Sequence, residues 1–139
     1  MGFLIDTNVL SEIRKGPRAN PGVIAWFAEA AAEDLFISVL TLGEIRRGIE
    51  SIRRRDPVSA DHLDQWFAKL LAKAEADGRI LPVSWAISEQ WGRLNVPDPL
   101  PVIDGLLAAT AMIHDLILVT RNTSDMARAR VATLNPFSD

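Results

Sequence analysis

The sequence predicts a three-layer α/β/α fold around a central parallel sheet of four to five strands, and three observations carry that expectation. Short, continuously apolar runs recur along the 139 residues, at Phe3-Leu4-Ile5, Leu35 to Val39, Ile80 to Val83 and Leu116 to Val119, each too short for a helix. Stretches of helical period separate them; Leu42, Ile45, Ile49 and Ile52, for example, follow one another at intervals of 3, 4 and 3 residues. Strands without polar alternation are those buried on both faces, as in a parallel sheet covered by helices.

Phe3 to Ile5 reads as the first strand, ended by the polar run Asp6-Thr7-Asn8. Val9 to Arg14 gives a helical turn that Gly16-Pro17 breaks, and helical patterning resumes from Val23 to Ala32. After the second strand, Leu35 to Val39, the amphipathic helix through Leu42 and Ile52 carries Thr41 and Glu44 at capping-box spacing and ends at Asp56-Pro57. A further helix is expected from Asp61, with Leu63, Trp66, Phe67, Leu70 and Leu71 on one stripe and Gly78 just past its end, so the two form an arm. Ile80 to Val83 is the third strand, and Ser84 suits the cap of a helix carrying Ile87, Trp91 and Leu94. Pro97 to Pro101 reads as a rigid loop, and Val102 to His114 as a helix rich in Ala and Leu. Leu116 to Val119 is the fourth strand, Ser124-Asp125 opens a short last helix, and Val131 to Leu134 is a fifth strand candidate. With no repeat or linker, residues 1–139 read as one domain.

Composition narrows the chemistry. The chain is 48% hydrophobic and 24% charged and has no cysteine, which removes thiolate zinc sites, iron–sulfur clusters and cysteine nucleophiles and fits a reducing compartment. No apolar run approaches the roughly 20 residues of a membrane span, and no signal peptide is apparent, so a cytoplasmic protein without membrane attachment is expected. The net charge of −3 argues against attraction of nucleic acid by the molecule as a whole. The basic residues are nevertheless grouped: Arg46, Arg47, Arg53, Arg54 and Arg55 fall close together, as do Arg14, Lys15 and Arg18.

In open parallel sheets, ligands bind beyond the carboxyl ends of the strands. The residues to examine are therefore Asp6, Thr7 and Asn8; Thr41 to Glu44; and Thr120, Arg121 and Asn122 leading to Asp125, with Asp104 joining them if its helix starts at the same rim. Singly, each acid has a structural explanation as a cap or as a favourable charge at a helix N-terminus. Together they repel: at about 5 Å and an effective dielectric of about 20, each ionised pair costs about 3 kcal/mol. A cation must offset that. All-oxygen ligation without Cys or a His pair at ligand spacing selects a hard ion, Mg2+ or Mn2+, over zinc. Such ions meet substrates through phosphate oxygens, lower the pKa of a bound water and stabilise an in-line displacement, so phosphodiester hydrolysis is the expected reaction.

On this reading Asp6 is the central ligand, Glu44 and Asp104 complete the ligand set or orient the water, and Asp125 is either a ligand or an outer acceptor. Thr7, Asn8, Thr120 and Asn122 would fix the carboxylate rotamers. Arg46, Arg47 and Arg121, outside the apolar stripes and near the rim, are expected to contact substrate phosphates, with Arg53 to Arg55 further along. Trp26, Trp66, Trp85 and Trp91 fall on or beside apolar stripes and read as core or interface.

The same residues carry a resemblance. FLIDTNVLSE, ISVLTLGEIRRGI, VIDGLLAATA, LVTRNTSDM and the closing LNPF resemble, in order and nearly end to end, the successive motifs of PIN-domain ribonucleases, especially the VapC- and FitB-like toxins of bacterial toxin–antitoxin pairs. The resemblance implies a PIN fold, an endoribonuclease dependent on Mg2+ or Mn2+, a homodimer, and a cognate antitoxin that blocks the site. It places the family's acidic positions on Asp6, Glu44, Asp104 and, more variably, Asp125, and its polar residue after the fourth strand on Thr120.

Two other classes are weaker. An aspartyl phosphotransfer protein would want a second acid two residues after Asp6, where Asn8 stands, or a lysine after a late strand, where Thr120-Arg121 stands. A non-catalytic PIN-like module that only binds RNA or a protein would be expected if acids were missing, and all four are present.

Overall fold

The computed structural model describes residues 1–139, and its element order alternates as the apolar runs require. Strands β1 (Phe3–Ile5), β2 (Leu35–Ser38), β3 (Ile80–Leu81), β4 (Ile117–Val119) and β5 (Thr133–Leu134) form one sheet in the order β3-β2-β1-β4-β5, every neighbouring pair parallel. The helices are α1 (Thr7–Ile13), α2 (Pro21–Glu29), α3 (Val39–Arg53), α4 (Pro57–Ala76), α5 (Trp85–Leu94), α6 (Val102–Ile113) and α7 (Thr123–Met126).

The period of two along a strand divides the core into two layers. Leu4 and Leu118, in register with each other, point to one face and join Leu107, Ala108, Ala111 and Met126. Ile5 and Val119, also in register, point to the other and join Val9, Leu10, Ile37, Ile45, Ile49 and Phe67. The sheet is thus covered on both sides, which is why its strands lack polar alternation. On the α6 side the covering helices approach closely: a Cβ on Gly105 would stand 3.1 Å from the Trp91 ring, so α5 and α6 meet where a glycine leaves room.

Helix starts explain where boundaries depart from the sequence reading. Ser38, not Thr41, caps α3, its Oγ accepting from Leu40 N at 3.0 Å. The capping box drawn from Thr41 and Glu44 is therefore wrong; both lie inside the helix, and Thr41 is buried with its Oγ1 unpartnered. Likewise α4 begins at Pro57 rather than Asp61, because Asp56 accepts from Ser59 N at 3.1 Å and proline at the first helical position needs no N–H donor. The outer strands β3 and β5 are two residues each, shorter than expected, since they pair on one edge only. No helix is long and apolar enough to cross a membrane.

Candidate active site

Parallel register brings the ends of β1 and β4 level, so Asp6 and Thr120 emerge side by side: Asp6 N donates to Val119 O at 2.9 Å. Asp6 ends β1 and caps α1 at once, which places its carboxylate at the mouth of the sheet and leaves it 5% exposed. Its oxygens are held from three directions. Thr7 N donates to Oδ1 at 2.7 Å, and Thr120 Oγ1 and Asn8 Nδ2 donate to Oδ2 at 2.8 and 3.3 Å. Thr120 in turn accepts from Asn122 N at 3.1 Å, and Asn8 Oδ1 accepts from Arg121 N at 3.3 Å, so the turn after β4 is locked to the start of α1.

Glu44, one turn into α3, joins through Thr7, whose Oγ1 donates to Glu44 Oε1 at 2.6 Å. Asp104 stands in the first turn of α6 and Asp125 in the first turn of α7. Neither carboxylate accepts a hydrogen bond from the protein; they face the rim with free oxygens. Burial pushes the Asp104 carboxyl above its ordinary range, and the charges of Asp6, Glu44 and Asp125 push it the same way. Burial also raises Asp6; the Thr120, Thr7 and Asn8 hydrogen bonds offset part of that, while the Glu44 charge adds to it. Asp104 thus lies in the fields of Asp6, Glu44 and Asp125, and Asp6 in that of Glu44, while Thr7, Asn8, Thr120 and Asn122 are the groups that orient Asp6, Glu44 or one another.

The donor set suits a hard cation. It consists of carboxylate oxygens backed by hydroxyl and amide groups, with no imidazole or thiol. No three acidic or imidazole side chains converge tightly enough to enclose an ion on their own. An ion here would keep much of its water, as magnesium does when it binds through one or two carboxylates and substrate phosphates.

The arginines separate into two kinds. Arg46 donates to Asp64 at 2.7 Å and to Glu50 at 3.1 Å, and its guanidinium lies 5.2 Å from the Phe67 ring centroid. Arg53 pairs with Glu50, Asp61 and Asp64. These arginines clamp α3 to α4. The expectation that Arg46 contacts phosphate meets a competing use of its donors, since Asp64 on α4, invisible to a reading of α3 alone, and Glu50 pair with it. Arg47 is exposed and outside any ion pair, and Arg121 is exposed at the rim. Of the tryptophans, Trp26 packs edge-on against Phe3 with centroids 5.5 Å apart, whereas Trp85 is 78% exposed.

Sequence reasoning missed two features. One is the structural role of the segment Asn135 to Ser138, legible in the sequence only within the closing LNPF; it packs against Asn20 and Gly22. The other is an apolar cleft of about 360 Å3 between α1, α2, β2 and α4, lined by Leu10, Ile13, Phe27, Trp66 and Leu70 and edged by Lys69 and Lys73. The only signal for the cleft was the width of the apolar stripe on α4.

The fold and this rim define a class: three-layer α/β/α proteins whose reactive groups are carboxylates gathered at the strand ends. The sequence model of the PIN domain matches residues 3–132. The chain belongs to the PIN-domain family, a family of metal-dependent nucleases. It is 32% identical to the toxin FitB of Neisseria gonorrhoeae, over 99% of both chains, and 29% identical to the VapC ribonuclease Y4jK of Sinorhizobium fredii, over 97% of both. Among solved structures it is similar to the FitAB complex bound to the IR36 DNA fragment, with a TM-score of 0.86 and 29% identity over 99% of this chain and 96% of the other. It is also similar to FitAcB from Neisseria gonorrhoeae, with a TM-score of 0.79 and 32% identity over 96% and 97% of the two chains.

Proposed function

We propose that this protein is an endoribonuclease dependent on Mg2+ or Mn2+, the toxin of a toxin–antitoxin pair, in which Asp6, Glu44, Asp104 and Asp125 are the catalytic and metal-holding groups. The observation that carries the reading is the buried Asp6 carboxylate, fixed by Thr7, Asn8 and Thr120 and lying with Glu44 and Asp125 in reach of the Asp104 charge, in a chain that matches PIN-domain toxins end to end.

The roles follow from the bonding. Asp6 is the anchor, because its rotamer is fixed before anything binds. Glu44 is aimed by Thr7 through one oxygen and keeps the other for a cation or for a water that it orients. Asp104 and Asp125, with no protein donor on them, complete the site from the α6 and α7 side. A bound divalent cation supplies charge to offset these carboxylates and the substrate phosphate, and Lewis acidity at the scissile group. Arg47 and Arg121 are the phosphate contacts on either side of the rim, since a carboxylate cluster by itself repels RNA.

The whole chain acts as one unit, in the cytoplasm, as a homodimer held inactive by a cognate antitoxin. The relatives solved as toxin–antitoxin complexes support that partner, and the apolar cleft edged by Lys69 and Lys73 suits an amphipathic antitoxin segment with acidic flanks. The exposed Val96 and Val102, which flank the connection from α5 to α6, support a second copy there.

The test is cleavage of total RNA by the purified protein with magnesium, manganese or zinc and with excess chelator. Cleavage with magnesium or manganese, lost in chelator and unrestored by low zinc, is expected, as is suppression by the co-expressed antitoxin. Undiminished cleavage in chelator overturns the metal role; RNA binding without cleavage in any metal makes the protein a binding module instead.

A further inference from the structure

The segment after β5, Asn135 to Ser138, contributes no acid to the rim, yet it is fastened on two sides. Asn20, the cap of α2, grips it: Asn20 Oδ1 accepts from Ser138 N at 2.9 Å and Ser138 Oγ at 3.1 Å, and Asn20 Nδ2 donates to Ser138 O at 2.8 Å. Gly22 N adds a bond to Ser138 Oγ at 3.1 Å. The seat is tight, for a Cβ on Gly22 would stand 2.4 Å from Pro136 O and 2.6 Å from Ser138 N. Between these anchors Asn135 Oδ1 accepts from Phe137 N at 3.0 Å, and the Phe137 side chain packs half-buried against the core layer of Ile5 and Val119.

What the strap supports is Arg121. Its guanidinium lies 4.6 Å from the Phe137 ring centroid, while its backbone N–H is tied to Asn8, which itself holds Asp6. Unlike Arg46 and Arg53, Arg121 forms no ion pair. A cation seated over a ring face spends none of its N–H donors on that contact. The full fork remains free for a planar, bidentate grip on a phosphate. Loose arginines lose side-chain entropy on binding, and one already resting on a ring loses less.

We propose that Phe137 is a positioning residue for substrate binding: the strap latched to the α2 cap holds its ring beneath Arg121, so that the guanidinium is presented to an RNA phosphate passing beside the turn after β4. The charge of that guanidinium also reaches Glu12 of α1. This rests on the ribonuclease reading above. The strap thereby links residues from both ends of the sequence to the grip on substrate.

The experiment measures binding of a fluorescent single-stranded RNA across a salt series, in an Asp6→Asn background that prevents turnover. Phe137→Ala should weaken binding about two- to fivefold. It should also lower the slope of log affinity against log salt by up to about 0.7, as Arg121→Ala does. The double variant should bind no more weakly than Arg121→Ala alone, and Phe137→Trp should restore both affinity and slope. Gly22→Ala, which displaces the strap from its far side, should reproduce the Phe137→Ala pattern and carries the test if Phe137→Ala melts at low temperature. Equal losses from Phe137→Ala with and without Arg121, or an unchanged slope, would make Phe137 an ordinary packing residue and overturn the proposal while RNA binding itself stands. Failure of the protein with Asp6 intact to bind or cleave RNA in magnesium or manganese overturns the ribonuclease reading, and the proposal with it.

Discussion

Thr7 Oγ1 donates to Glu44 Oε1 at 2.6 Å, across 37 positions of sequence, while the backbone N–H of the same threonine donates to Asp6. One residue thus orients two of the rim's acids, one through its main chain and the other through its hydroxyl. Only the second function depends on the side chain. Thr7→Val should leave Asp6 capped and the fold intact but free Glu44 to rotate. Loss of such an outer partner costs about 10- to 100-fold in activity or metal affinity. Thr7→Ser, which keeps the hydroxyl, should stay within a few-fold of wild type. Equal cleavage rates for the valine variant and wild type would show that Glu44 needs no aiming.

The carboxylates should be indispensable for turnover and unfavourable for stability. Asp6→Asn, Glu44→Gln and Asp104→Asn are each expected to abolish RNA cleavage. For Asp6 and Asp104 the direction of the stability change follows from their raised carboxyls. A raised folded-state pKa means that ionisation at neutral pH works against folding, so Asp104→Asn, whose carboxylate holds no protein hydrogen bond, should melt at the same temperature as the metal-free protein or higher; Asp6→Asn gains less, because an amide offers one oxygen to donors that now use both carboxylate oxygens. Calorimetry in chelator, beside the cleavage assay, checks both halves; near-wild-type turnover in any variant removes that residue from the chemistry.

The division of the arginines is testable by opposite signatures. Arg121→Ala and Arg47→Ala should weaken RNA binding at every sequence and lower the salt slope by up to about 0.7 each, with little change in melting temperature. Arg46→Ala should do the reverse, costing about 1 kcal/mol of stability through lost ion pairs and the Phe67 contact, with the salt slope unchanged. A reduced slope for Arg46→Ala would return it to the phosphate track.

The same clamp predicts a pH dependence. The Arg53 and Arg46 guanidiniums hold the Glu50 carboxyl below its ordinary range, and Arg46 and Arg53 hold Asp64 below its own. Groups with depressed folded-state pKa values stabilise the fold above their unfolded values, and that contribution is lost as pH falls through the depressed ones. Asp64→Asn should therefore melt below wild type at neutral pH, with the gap closing below about pH 4 as the wild-type carboxyl itself protonates. A gap that stays constant into acid would mean that Asp64 matters for packing rather than charge.

For the cleft, charge reversal is the direct probe. Lys69→Glu with Lys73→Glu should weaken antitoxin binding at least tenfold and steepen its loss with low salt, while RNA cleavage by the free toxin is unchanged. Antitoxin affinity indifferent to both substitutions would place the partner elsewhere.

Much of this was legible in the sequence, and the reasons differ by element. Strands β1, β2 and β4 announced themselves because burial on both faces makes a run apolar throughout. Asp6 and Thr120 were legible because a polar residue directly after such a run must lie at the sheet's carboxyl rim. The starts of α3 and α4 were misjudged because Ser38 and Asp56 each offered a cap earlier than the first residue of the apolar stripe. The ion pairing of Arg46 was not legible for a different reason: its partner Asp64 lies on the next helix, and pairing between helices leaves no mark in either one's periodicity. The strap was unreadable because its hold is made by Asn20, 118 positions away from Ser138.

The position of β1 at the middle of the sheet bears on when, during synthesis, the rim of acids comes together. Chains emerge from the ribosome N-terminus first, at about 5–20 residues per second. Asp6 emerges 114 residues ahead of Thr120, whose hydroxyl holds it, and correspondingly far ahead of β4, one of the two strands beside it. Until the stretch from α6 to α7 emerges, the early carboxylate has β2 on one side but lacks β4 on the other and the acids of α6 and α7. On the proposed ribonuclease reading, a growing chain therefore carries no assembled cutting site close to the messenger being read, and the interval before assembly is time in which an inhibitor can diffuse to it.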